Sequence, residues 1–186
     1  MKKLDDAIKF ATDAHSGQKR KLTYSPYILH PLEAAAIAAT LTSDEDVICA
    51  VVLHDTVEDT EVKITEIREK FGDRVAELVA EETENKRRDL LPEVTWQIRK
   101  EETIQRLMDT KDKDVKILWL ADKLSNVRSI CGAYLEIGDA VWENFNQKDK
   151  NLQKWYYKSV AKALEPDFKN TQAFKEYENI LNFIFG

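Results

Sequence analysis

The sequence is poor in residues that break helices or crosslink chains. Its 186 residues include only 5 glycines, 4 prolines and 2 cysteines. No apolar run approaches the roughly 20 residues that a membrane-spanning helix needs, and the N-terminus has no signal-peptide pattern, so we expect no membrane contact. Cys49 and Cys131 each lie in an apolar segment, which favours free buried thiols in a reducing cytoplasm over a disulfide.

Basic residues are also in the minority. The chain has 28 Lys and Arg against 34 Asp and Glu, which gives a formal net charge of −6. This balance argues against nucleic acid as a partner. It does not exclude a phosphorylated small molecule, because a local basic cluster or a metal ion could bind one. With 43% hydrophobic and 33% charged residues, the composition is typical of a soluble globular protein.

Strand-like alternation is hard to find, whereas helical spacing recurs along the chain. We therefore predict an all-α fold, with one domain over residues 1–186 and about eight to ten helices. The predicted helices cover residues 4–14, Pro31 to about Leu41, a segment capped by Ser43 that ends near His54, short stretches around 64–71 and 75–79, Pro92 to about Met108, 115–130, a segment that ends at Pro166, and a last amphipathic stretch around 174–184.

Two of these helices are apolar on nearly all sides and yet carry ionisable residues. His54 and Asp55 follow the run VICAVVL, and Asp122 lies within KILWLADKL. A bare carboxylate is expensive to bury, so we expect a neutralising partner between the two helices. That partner is either a divalent metal ion or a buried ion pair with Lys123 or Arg128.

A metal ion would find a suitable set of ligands. His30, which follows PYIL, adds a second imidazole to His54, Asp55 and Asp122. Two imidazoles and two carboxylates suit a borderline-to-hard ion such as Mn²⁺, Zn²⁺ or Fe²⁺. These four residues are therefore the candidate metal ligands.

Two more carboxylates, Glu58 and Asp59, follow in the stretch HDTVED. His54 and Glu58 are four residues apart, as are Asp55 and Asp59, so each pair shares a face if the helix continues that far. Carboxylates clustered near a metal can keep one of their number protonated, as a general acid requires. The alternative is that Glu58 and Asp59 form an ordinary solvated helix end.

Five segments carry a family resemblance. In chain order they are AHSGQKRK, PYILHP, AVVLHDTVEDT, FGDRVAELV and ADKLSNVR. The order His, His-Asp, Asp resembles the signature of HD-domain metal phosphohydrolases. The five segments together resemble the hydrolase domain of RelA/SpoT-type enzymes, over roughly residues 7–130. Residues 133–186 are expected to form helices that complete this domain. Because no synthetase region follows, the chain is most similar to the stand-alone small alarmone hydrolases.

The resemblance implies a function and roles for single residues. It implies a metal-dependent 3′-pyrophosphohydrolase that converts ppGpp or pppGpp to GDP or GTP plus pyrophosphate. One divalent cation, typically Mn²⁺, would bind His30, His54, Asp55 and Asp122. Glu58 and Asp59 would activate or position the attacking water. The implied substrate-binding residues are Arg20, Lys21 and Asn126, with Tyr27 beside the same loop and Lys123 and Arg128 as candidate phosphate contacts.

Two departures from the family pattern leave alternatives open. Leu22 to Ser25 replace a glycine-containing turn, and Ser125 stands where the long enzymes usually carry histidine. The substrate could therefore be another nucleotide, such as an adenosine alarmone, a 5′-nucleotide or a 2′-phosphorylated dinucleotide. A nucleotide sensor without turnover and a purely structural helical protein are the remaining alternatives. A homo-oligomer is compatible with the sequence.

Overall fold

The computed structural model describes residues 2–87 and 89–186, which form ten α-helices and one 3₁₀ helix without any strand. The prediction of an all-α fold is confirmed. The elements are α1 (Lys2–Ala14), α2 (Leu29–Ala38), α3 (Glu45–Leu53), α4 (Thr56–Asp59), α5 (Ile64–Phe71), α6 (Asp73–Glu82), α7 (Pro92–Asp109), α8 (Lys113–Ile137), the 3₁₀ helix (Gly138–Asn144), α9 (Lys150–Phe168) and α10 (Gln172–Phe185).

Helices α3 and α8 form the centre of the fold. Helix α8 packs against α2, α3, α6, α9 and α10, and α3 also contacts α1, α2 and α6. Their apolar side chains, such as Leu53, Leu118 and Leu120, are fully buried. The two helices that the sequence marks as apolar on all sides therefore lie side by side, and their few ionisable residues lie in the interior.

Two predicted helix starts are wrong by one or two residues. Asp44, not Ser43, caps α3, and its Oδ1 accepts a hydrogen bond of 2.8 Å from the backbone N–H of Asp46. Helix α2 begins at Leu29, so Pro31 is its third residue rather than its first. Proline is tolerated there because the first four backbone N–H groups of a helix have no partner within it.

The predicted stop at Pro166 is also wrong. Helix α9 continues two residues beyond it to Phe168. A proline so near a C-terminus removes one backbone hydrogen bond without dividing a long helix. By contrast, Pro92 is the first residue of α7, as predicted.

The structure bears on two expectations from the composition, namely free cysteine thiols and the lack of a membrane-spanning helix. Cys49 is buried, Cys131 is half-buried, and both are free thiols, so the prediction of free thiols is confirmed although Cys131 is less buried than expected. In the two described ranges, no helix is both long enough and apolar enough to cross a membrane.

Candidate metal centre

Four side chains from separate parts of the chain converge between α2, α3 and α8. His30 Nε2 lies 3.0 Å from Asp122 Oδ1 and 3.5 Å from Asp55 Oδ2. His54 Nε2 lies 3.1 Å from Asp55 Oδ2 and 3.6 Å from Asp122 Oδ1. One ligand atom each from His30, His54 and Asp122 lie within 4.8 Å of one another. The structure thus brings together all four predicted metal ligands.

Both imidazoles turn Nε2 toward the cluster. His54 Nδ1 lies 2.7 Å from the carbonyl oxygen of Val51, so Nδ1 donates to that oxygen and Nε2 faces the carboxylates. His54 Nε2 is buried and makes no hydrogen bond within the described ranges, although carboxylate oxygens lie close by. A buried imidazole nitrogen that faces two carboxylates fits a bound divalent cation.

His30 is held by a serine and a glutamate. His30 Nδ1 lies 2.8 Å from Ser125 Oγ, and Ser125 Oγ donates in turn to Glu33 Oε2 at 2.7 Å. The hydroxyl therefore accepts from the His30 Nδ1–H, which leaves Nε2 to face the cluster. Ser125 departs from the family pattern, but it gives His30 the same kind of support that Val51 gives His54.

The sequence left open whether Asp122 belongs to a metal site or to a buried ion pair, and the structure shows contacts of both kinds. Its Oδ2 pairs with the Lys123 ammonium, as the ion-pair alternative requires. Its Oδ1 accepts from Asn126 Nδ2 at 2.5 Å and faces His30. Arg128 does not pair with Asp122, because its guanidinium binds Glu33 and Glu176 on another side of α8. The Lys123 pair leaves Oδ1 turned toward the imidazoles.

Burial lowers and the nearby carboxylates raise the pKa of both histidines, but the balance differs between the two. Burial disfavours a charged His54, but the carboxylates of Asp55, Glu82 and Asp122 outweigh burial and hold the pKa of His54 well above its ordinary value. Burial dominates at His30 and lowers the pKa of that ring. Without a cation, therefore, His54 is protonated near neutral pH and His30 is neutral.

We expect cation binding to release at least one proton at pH 7. A metal ligand must be a neutral imidazole, so His54 has to lose the proton that its raised pKa retains. The affinity for Mn²⁺ should then rise with pH by about tenfold per unit until the pKa of His54 is passed. Calorimetry from pH 6 to 8, in buffers that differ in ionisation enthalpy, measures both effects. An affinity independent of pH and of buffer would contradict this prediction.

Glu58 and Asp59 lie beside the cluster on the short helix α4. A two-residue turn separates α3 from α4, and the Asp59 N–H donates to the carbonyl of Asp55 at 2.8 Å. The Tyr27 hydroxyl lies 2.7 Å from Asp55 Oδ2 and 3.0 Å from Asp59 Oδ2. Burial, followed by the charge of Asp55, raises the pKa of Glu58. Glu58 therefore holds a proton more readily than an exposed glutamate does, as a proton carrier in catalysis requires.

A loop after α6 holds this acidic pair in place. The Glu84 backbone N–H donates to Glu58 Oε2 at 2.9 Å, and the Lys86 ammonium pairs with Asp59 and lies 3.4 Å from Glu58 Oε1. The Glu84 side chain is anchored on α7 by Arg99 at 2.9 Å and Lys100 at 2.7 Å. Burial would raise the pKa of Glu84, but these cations outweigh it and lower that pKa to about 2.

A cavity of about 380 Å³ opens over the metal ligands and the acidic pair. Its wall contains residues that the sequence did not single out, because charged side chains in polar helices and loops look solvated in a sequence. These residues are Glu82, Glu84, Lys86, Arg99 and Lys100. Of the predicted substrate contacts, Lys123 and Asn126 line this cavity.

A second cavity of about 350 Å³ adjoins the first, and the two share the side chains of Tyr27, Asp59, Lys86 and Asn126. Arg20 Nη2 donates to Asn126 Oδ1 at 3.0 Å, and the Arg20 guanidinium lies 5.7 Å from the centre of the Tyr27 ring. The other lining residues include Lys21, Leu22, Phe145 and Tyr157. Of the predicted contacts, only Arg128 lines neither of these two cavities.

Residues 7–144 match the sequence profile of the HD domain family. The chain is 34% identical over 184 residues to the guanosine-3′,5′-bis(diphosphate) 3′-pyrophosphohydrolase of Aquifex aeolicus. That match covers 96% of this chain but only 25% of the relative, so the chain spans a quarter of the length of that protein.

Two solved structures are similar over nearly their whole length. One is a metazoan orthologue of SpoT that hydrolyses ppGpp and plays a role in starvation responses. It has a TM-score of 0.78 and 26% identity, covering 98% of this chain and 96% of that one. The other is lmo0812 from Listeria monocytogenes EGD-e, with a TM-score of 0.71 and 36% identity, covering 88% and 95%. The chain therefore belongs to the HD-domain family, and it is similar to RelA/SpoT-type proteins as its motifs predict.

Proposed function

We propose that the protein is a metal-dependent 3′-pyrophosphohydrolase of guanosine alarmones that acts in the cytoplasm. The observation that carries this proposal is the convergence of His30, His54, Asp55 and Asp122 beside a pair of acidic residues. The products would be pyrophosphate and GDP or GTP. The similarity to the Aquifex enzyme and to the metazoan SpoT orthologue supports the choice of substrate.

The proposed chemistry divides between the cation and the side chains beside it. A bound divalent cation, for which we propose Mn²⁺, would act as a Lewis acid and would lower the pKa of a water molecule bound to it. His30, His54, Asp55 and Asp122 would hold it. Glu58, whose pKa is raised, accepts or returns a proton at its carboxylate during attack on the 3′-linked phosphorus. Asp59 positions the attacking water.

The two adjoining cavities suit the two ends of a guanosine alarmone. The cavity over the cluster carries the ammonium groups of Lys86, Lys100 and Lys123, which are suited to phosphate oxygens. The adjoining cavity has Arg20 and the aromatic rings of Tyr27, Phe145 and Tyr157 in its wall, which are suited to a purine. The proposed substrate therefore spans Asn126, with its base beside Arg20 and its 3′-pyrophosphate over the metal ligands.

Incubation of the purified protein with ppGpp and Mn²⁺ tests this proposal. We expect GDP and pyrophosphate in equal amounts, as products of cleavage at the 3′ oxygen. A panel with an adenosine alarmone, a 5′-nucleotide and a 2′-phosphorylated dinucleotide tests the other nucleotide classes. Release of single phosphates would contradict cleavage at the 3′ oxygen. Faster turnover of a panel member would identify that nucleotide, rather than the guanosine alarmone, as the substrate. Binding without any turnover would indicate a sensor.

A further inference from the structure

Glu82 is a buried carboxylate that the mechanism above does not use. It is the last residue of α6 and is 5% exposed. Neither of its carboxylate oxygens makes a hydrogen bond to any residue in the described parts of the chain. Because burial of an unpaired carboxylate is costly, the observation points to a partner that is not a side chain.

The surroundings of Glu82 are negatively charged, which favours a positively charged group nearby. The C-terminal end of a helix carries a partial negative charge, which disfavours a carboxylate on its last residue. Glu82 shares the wall of the larger cavity with Asp55 and Asp122, two further carboxylates. Lys123 lines the same wall, but its ammonium pairs with Asp122.

Glu82 lies outside the group of ligand atoms itself. Among the described residues, the group of candidate ligand atoms within 4.8 Å of one another comes from His30, His54 and Asp122, and Asp55 Oδ2 lies 3.1 Å from His54 Nε2. A carboxylate that lies near a cation site, but not among its ligands, can act through the water bound to the ion.

We propose that Glu82 is a positioning residue that accepts hydrogen bonds from water on the divalent cation held by His30, His54, Asp55 and Asp122. The inference rests on the cation site of the proposed function. Water on the cation would give the Glu82 oxygens the hydrogen-bond donors that the described residues do not supply. Glu82 would hold the ion's water on the side of the cluster that opens to the cavity.

Mn²⁺ affinity, measured by electron paramagnetic resonance on the full-length protein, tests the proposal without an assay of activity. The variants are Glu82→Gln, which removes the charge, and Glu82→Leu, which also removes the acceptor. Glu81→Gln is the matched control, because Glu81 is the exposed neighbour on the same helix. We expect both Glu82 variants to bind Mn²⁺ about 10- to 100-fold more weakly than the wild type, and the control to be unchanged.

A melting curve in chelator separates a folding defect from a cation effect. Because the substitutions remove a buried carboxyl group that has no hydrogen-bond partner in the described ranges, the metal-free variants should melt no lower than the wild type, while Mn²⁺ should raise their Tm by less. Wild-type affinity in Glu82→Gln, or an equal loss in Glu81→Gln, would overturn the role of Glu82 alone. If the wild type binds no Mn²⁺, the cation site of the proposed function falls as well.

Discussion

The His54→Ala variant is expected to lose the bound cation and to hydrolyse ppGpp at least about 10³-fold more slowly than the wild type. His54 is 2% exposed, and its Nε2, which has no hydrogen-bond partner in the described ranges, faces the centre of the cluster. Without it, Asp55 and Asp122 would have to hold the ion with His30 alone. Because the cation supplies the Lewis acid, loss of binding removes that part of the rate acceleration.

The measurement is metal content after desalting, together with the rate of pyrophosphate release. His15→Ala is the matched control, since His15 is also a buried histidine and has a hydrogen bond of 2.8 Å from Nδ1 to Gln18. The control should keep its cation, and circular dichroism should show both variants folded. Stoichiometric metal in His54→Ala, at wild-type affinity, would contradict the assignment of this histidine.

The Glu58→Gln variant is expected to lose about 10²- to 10⁴-fold in rate while it keeps the cation. Burial and Asp55 raise the pKa of Glu58, so this carboxyl group holds a proton more readily than an exposed glutamate, whereas an amide cannot exchange one. Glutamine preserves the acceptor for the Glu84 N–H, so the loop after α6 should stay in place. The variant therefore separates proton transfer from metal binding.

Single-turnover rates and metal content measured on the same preparation test this separation. Glu61→Gln serves as control, because Glu61 is an exposed carboxylate two residues beyond Asp59 and should leave both quantities unchanged. A Glu58→Gln enzyme with wild-type rate would exclude Glu58 as the proton carrier. One that also loses its cation would show that Glu58 supports the metal rather than the proton.

The convergence of the candidate metal ligands could be predicted because burial and charge conflict at their positions. A histidine next to an aspartate after VICAVVL, and an aspartate within KILWLADKL, are expensive in an apolar interior. Such a conflict is visible in a sequence and calls for a common partner. The order of the motifs then added His30, which no periodicity would have identified as a ligand.

The support around the site could not be predicted in the same way. Lys86, Arg99 and Lys100 lie in polar segments where a charged residue predicts only solvent exposure, yet Arg99 is 9% exposed and binds Glu84. Glu82 follows another glutamate and resembles an ordinary helix end. The partner of Arg99 and Lys100 is fixed by how α7 lies against the loop after α6, which depends on contacts between residues distant in sequence.

The predictions of three helix boundaries were wrong for local reasons. A cap at Ser43 or Asp44 satisfies the same orphaned N–H groups at nearly the same free energy, so the sequence does not choose between them. Pro166 breaks a helix only where its missing N–H would interrupt a long stretch, and α9 ends two residues later in any case. The earlier start of α2 places His30 inside that helix rather than before it, and the other two shifts do not reach the candidate metal centre.

Anomalous diffraction from a crystal soaked in Mn²⁺ tests the central claim most directly. That claim is that His30, His54, Asp55 and Asp122 hold a single divalent cation in front of Glu58 and Asp59. We predict one manganese peak per chain, bonded to one atom from each of those four ligands. A peak centred on Glu58 and Asp59 instead, or none at the four ligands in a crystal that still hydrolyses ppGpp, would contradict the account.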